Sequence, residues 1–159
     1  MIAVERRPRS AKADGVTVAE VRRRARVMLD ALELGDAELS ILLTDDATIH
    51  ELKRSFRDKD KPTDVLAFAQ REGETAPPIP GAPELLGDVV ISLDTASAQA
   101  RARRRAPLAE VTMLLAHGLL HLVGYDHRDD EEEREMTAAT TDLVRRASRT
   151  ASGNVARNR

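Results

Sequence analysis

Three of the chain's four histidines fall within eleven positions, in the stretch HGLLHLVGYDH at 117–127. Imidazole is a common metal ligand and proton carrier, so the spacing of these rings decides what they can do together. His117 and His121 are four residues apart; on a helix their rings leave the same face one turn apart and can converge on one cation. His127 is six residues further on, too far to join them on a helix that simply continues. Gly124 lifts that restriction, because glycine readily takes the left-handed conformation that ends a helix and turns the chain back. The pattern predicts a three-imidazole site with one coordination position left for water, as in catalytic rather than structural zinc sites. The chain has no cysteine, which excludes thiolate ligands, thiolate nucleophiles and disulfides. One zinc ion is the first choice, although imidazoles also suit nickel, copper and iron. Singly, each histidine is more often an ordinary surface or core residue; the threefold spacing with the glycine is what points to a metal. Asp126 either orients a ligand imidazole or solvates the helix end, and Tyr125 can pack over that end.

The histidines need a helix to carry them. Pro107 suits the first turn of one running to about Val123, with Leu108, Val111, Leu114 or Leu115, and Leu122 as its buried stripe. Upstream, residues 17–34 read as a helix with Val18, Val21, Ala25, Met28, Leu29 and Leu32 on one face and Gly35 as its stop. ELSILLT (38–44) reads as a strand, residues 46–56 as a helix capped by Thr44 or Asp45, and Val65–Phe68 as a strand after a turn at Pro62. Residues 71–84 hold four of the seven prolines and are expected to form an exposed loop before a strand at 85–92. Ser92 or Asp94 can cap a helix to about Arg105, and a last helix spans about Asp129 to Arg146, with acids in its first turn and arginines in its last. The order is α-β-α-β-β-α-α-α. It predicts an α+β fold, a small mixed sheet covered by helices, in one domain over 1–147. The polar tail 148–159 has no apolar periodicity and is expected to be disordered.

Composition narrows the function classes. Hydrophobic residues make up 42% of the chain, yet there are two Phe, one Tyr and no Trp, so aliphatic side chains must build the core. No apolar run approaches the ~20 residues of a membrane span, and the N-terminal residues lack a signal-peptide core, so a cytoplasmic location without membrane partners is expected. The net charge of −2 argues against nucleic-acid binding through overall charge. Local basic stretches at 22–26 (RRRAR) and 101–105 (RARRR) can still steer a polyanion or simply be solvated helix faces.

The histidine spacing is similar to the zinc-protease helix H-E-x-x-H-x-x-G-x-x-H, with Gly118 where that motif has its glutamate base. Loss of that carboxylate removes the usual proteolytic mechanism while leaving a zinc-protease-like metal helix. HGLLHLVGYDH, together with FRDKDKPTDVLAF (56–68) and GDVVIS (87–92), resembles the YbeY family of bacterial endoribonucleases over about residues 17–145. The resemblance implies zinc at His117, His121 and His127 and a single-strand-specific cut in RNA. It further implies action in 16S rRNA 3′-end maturation and ribosome quality control, on the small ribosomal subunit, with a small-subunit ribosomal protein and a ribosome-associated GTPase as partners. It also implies a functional arginine at Arg57. By itself Arg57 would more often pair with Asp58 or Glu51; near a metal its guanidinium can bind a phosphate through two parallel hydrogen bonds. Phe56 replaces a frequent tyrosine, LAFA replaces LSFP, His50 stands where the family has asparagine and is left out of the site, and the N-terminus is short for the family's first strand. Two other readings remain: an assembly factor with a structural metal and no nuclease activity, and a metal hydrolase for another substrate, which Gly118 disfavours for peptides.

Overall fold

The apolar alternation of 38–44 and the continuous apolar run of 85–92 form the two central strands, as their β-branched content favours. The computed structural model describes residues 1–56, 65–69, 85–126 and 128–157. Its elements run β1 (Ile2–Arg6), α1 (Val18–Ala31), β2 (Glu38–Thr44), α2 (Asp46–Phe56), β3 (Val65–Ala69), β4 (Leu85–Ser92), α3 (Leu93–Arg103), α4 (Pro107–Leu122) and α5 (Asp130–Arg157). The sheet order is β1-β2-β4-β3. β1 and β4 flank β2 in parallel, while β3 runs antiparallel to β4, so the sheet is mixed as expected.

Three expectations need correction. Ile2–Arg6 is an edge strand that the sequence reading omitted; only Ile2 and Val4 of its five residues are buried, too short an alternation to register as a strand. The first helix ends at Ala31, before Gly35, because Glu33 takes the left-handed conformation (φ 61°) and the Leu34 N–H bonds back to the Leu29 carbonyl at 2.8 Å. The last helix passes Arg146 and runs to Arg157; Ala147, buried just past the anticipated end, continues its packing. The proline-rich loop at 71–84 and the turn at Pro62 lie outside the described residues.

One sheet face packs on α1 and α4, which α5 covers in turn: Ile41, Leu43, Val89 and Ile91 meet Met28, Leu29, Leu115 and Leu119 in one core. The smaller cluster of Ile49, Leu66 and Val90 seats α2 on the other face. Each fully buried Leu or Ile contributes about 1.5–3 kcal/mol, so this core fixes where α4 lies. The anticipated caps are present. The Asp45 carboxylate accepts the Thr48 N–H at 2.9 Å, Ser92 Oγ accepts the Thr95 N–H at 3.2 Å, and Pro107 opens α4.

The 22–26 basic stretch is absorbed into the fold. Arg23 and Arg24 both reach Glu20, at 2.6 and 2.8 Å, and Arg24 also donates to Thr112 Oγ1 (3.0 Å) and Ser148 Oγ (3.2 Å), tying α1 to α4 and α5. The hydrogen bond from Arg23, aided by Arg24, outweighs desolvation and lowers the Glu20 carboxyl from 4.5 to about 2. A folded-state pKa below the unfolded one stabilises the fold above pH 4.5, and that contribution is lost as the pH falls toward about 2. Because the pair is partly solvated, Glu20→Gln is expected to cost only about 1 kcal/mol at pH 7. Thermal melts of the two proteins should converge between pH 4.5 and about 2; a gap that stays constant over this range would remove the ion pair as its cause.

Candidate metal centre

The core that buries Leu115, Leu119 and Leu120 turns the intervening face of α4 outward, and His117 and His121 emerge there half-buried. Their Nε2 atoms are 3.2 Å apart and the rings meet edge to face, with centroids 4.7 Å apart and planes at 74°. Two nitrogens each about 2.0–2.1 Å from one tetrahedral ion lie about 3.3–3.4 Å apart, so the pair fits two ligand positions of zinc. The same separation admits a ring-to-ring hydrogen bond when no ion is bound.

The helix ends in a tight turn at Gly124. Gly124 has φ +105°, its N–H bonds to the His121 carbonyl at 3.1 Å, and the Tyr125 N–H bonds to the Leu120 carbonyl at 2.9 Å. These paired bonds form a Schellman motif, which reverses the chain immediately after the second histidine. Asp126 lies 3.4 Å from Arg128 across the turn. His127 and Arg57 lie outside the described residues, and among the described residues no group of three potential ligands gathers. Glu51 pairs with Arg54 at 3.5 Å. His50 is exposed on α2, in a hollow with Asp46, Lys53 and Thr95.

Gly118 has a structural reason. A Cβ there would stand 2.8 Å from Val89 Cγ1 and 3.3 Å from Val65 Cγ2, so α4 approaches β3 and β4 at a distance only glycine permits. The position that carries a protease's base faces the sheet here, not the two imidazoles.

Two features escaped the sequence reading. Glu110 is fully buried in the first turn of α4, where Arg103 Nη1 donates to both carboxylate oxygens (3.1 and 3.2 Å) and Arg105 lies at 3.7 Å. A cleft of about 770 Å³ also runs between α4 and α5, from His117 and Glu133 past Met113, Met136 and Thr137 to Arg105 and Arg145. Its only trace in the sequence is the recurrence of Thr137, Thr140 and Thr141 at helical spacing beside Met136.

Comparison with known proteins fits this architecture. The family model described as endoribonuclease YbeY matches residues 9–148. The chain belongs to the endoribonuclease YbeY family. Curated members from Paramagnetospirillum magneticum and Anaeromyxobacter sp. are 48% and 50% identical over 77% and 79% of this chain, covering 76% and 62% of their own lengths. A third, from Syntrophotalea carbinolica, is 42% identical over 92% of this chain and 95% of its own. All three are named endoribonuclease YbeY. A solution structure from Thermotoga maritima has the same fold at 24% identity, with a TM-score of 0.62 over 97% of this chain and 93% of that one.

Proposed function

We propose that this chain is a zinc-dependent, single-strand-specific endoribonuclease of the cytoplasm that acts in maturation of the small-subunit rRNA 3′ end and in ribosome quality control. Within the family, the observation that carries the metal part is the 3.2 Å separation of the His117 and His121 Nε2 atoms. These two imidazoles would hold one ion, with His127 as third ligand after the Gly124 turn. A bound zinc ion supplies Lewis acidity toward a phosphate oxygen and lowers the pKa of water toward ~7. Asp126, at the turn, is suited to orient a ligand ring through its second nitrogen. Arg57 precedes Val65, the residue that abuts Gly118. Its guanidinium would take two oxygens of the scissile phosphate and neutralise the charge that builds there. Small-subunit ribosomal particles, a ribosomal protein within them and a ribosome-associated GTPase are the partners of this reading.

Arg57→Ala tests the arrangement without removing a ligand. Cleavage of single-stranded RNA is expected to fall about 10²–10³-fold, as for loss of one donor to a developing oxyanion. Zinc content, measured by elemental analysis, should stay at the wild-type value, and chelator should abolish cleavage by either protein. Unchanged cleavage in Arg57→Ala would remove the arginine from the chemistry. A nuclease-free wild-type preparation that binds ribosomal particles but never cuts RNA would replace the enzyme with an assembly factor.

A further inference from the structure

The cleft between α4 and α5 is lined at one end by His117 and at the other by Arg105 and Arg145. Following α4 backward, its described walls pass from His117 through Met113 and Leu114 to Arg105; along α5 they pass from Glu133 through Met136, Thr137 and Thr141 to Arg145. The ten helical steps from Pro107 to His117 give it a length of about 15 Å, more than one nucleotide needs. Its volume of about 770 Å³ lies within the range of small-ligand sites.

Given the nuclease reading above, on which this rests, we propose that the cleft is a nucleotide subsite holding the RNA strand beside the scissile phosphate, with the following phosphates on Arg105 and Arg145. Three observations favour a polynucleotide. His117 lines the cleft, so a strand whose phosphate reaches an ion held there has a path into it. The basic end keeps usable donors: Arg105 is 3.7 Å from Glu110 and Arg145 3.8 Å from Asp142, both loose pairs that leave most guanidinium N–H groups for phosphate. The middle combines the polarisable side chains of Met113 and Met136 with the exposed Thr137 and Thr141, suiting the flat face of a base and the hydroxyls of a sugar. With so few aromatic residues in the chain, thioethers take the place of the usual stacking rings. Glu133 sets the orientation. Its carboxylate repels phosphate but accepts from a ribose hydroxyl or a base amino group, so the sugar and base side of the strand faces it.

The test uses the full chain with two substitutions on exposed positions, Arg145→Gln at the basic end and Thr141→Trp to fill the middle. Equilibrium binding of a fluorescent ten-nucleotide RNA is measured in chelator, where no cutting intervenes, across a salt series. Arg145→Gln should reduce the slope of log K against log salt by about one, the signature of one lost phosphate contact. Thr141→Trp should weaken binding about tenfold, roughly 1.4 kcal/mol. With metal restored, wild type should turn over both this RNA and a bis-aryl phosphodiester too short to reach the arginines, and both variants should lose RNA cleavage in proportion to their loss of RNA affinity. Wild-type affinity and salt slope in both variants would overturn the subsite. So would variants that bind RNA normally but lose a protein partner, since the cleft would then be a peptide site. If wild type cuts neither substrate yet the variants still weaken RNA binding, the nuclease reading fails and the cleft stands as an RNA site.

Discussion

His121→Ala is expected to release the bound metal and lower RNA cleavage by more than the roughly 10–100-fold typical of changes to a ligand's supporting partners. The fold should survive: His121 is half-buried at the outer face of α4, so its truncation opens no core cavity, and α4 remains anchored by Leu115, Leu119 and Leu120. Circular dichroism at the wild-type level with zinc content near zero is the expected pair of results. A folded His121→Ala protein that retains stoichiometric zinc and full cleavage would remove this histidine from the site.

Gly118→Ala should destabilise the protein although alanine is the better helix former. Helix propensity alone predicts a gain of about 0.8–1.0 kcal/mol. Against it stands a new methyl 2.8 Å from Val89 Cγ1, and Val89 is fully buried between α4 and the sheet, with nowhere to move. Overpacking of this kind costs about 1–3 kcal/mol, so the clash wins or cancels the gain. In a chain of this size, each kcal/mol of net loss lowers Tm by about 2–4 °C. Restoring the protease motif with Gly118→Glu should do worse, since it drives a carboxylate against Val89 and Val65, and no peptidase activity should follow. A Gly118→Ala protein that melts above wild type would show that the helix can lift off the sheet at no cost.

Much of this arrangement was legible in residue order because it is set by local rules. Asp45, Ser92, Pro107 and Gly124 each act within one turn of their own position, and each stands where its chemistry predicts. The features that were missed depend on distant partners. β1 has too few buried residues to be recognised until β2 pairs with it. Glu33 holds a left-handed conformation that points to glycine by preference, and Gly35 therefore drew the boundary too late. The arginines at 22–26 read equally as a steering patch or a solvated helix face until Glu20, Thr112 and Ser148 are seen to engage two of them. Gly118 was legible as a departure from the protease motif, but its cause, the approach of Val65 and Val89, belongs to tertiary packing.

The His117–His121 pair is carried by a single helix, whose i,i+4 spacing brings the two Nε2 atoms to 3.2 Å. Folding α4 therefore orders both rings before any ion arrives, and the second imidazole binds as the other arm of a chelate with little further loss of entropy. A third arm supplied from beyond Gly124, as proposed, would belong to a different kinetic class, since it would follow a turn rather than ride on a helix held by the core. Exchange of the ion would then be governed at the turn, and substitutions there should change how fast metal leaves more than where it sits.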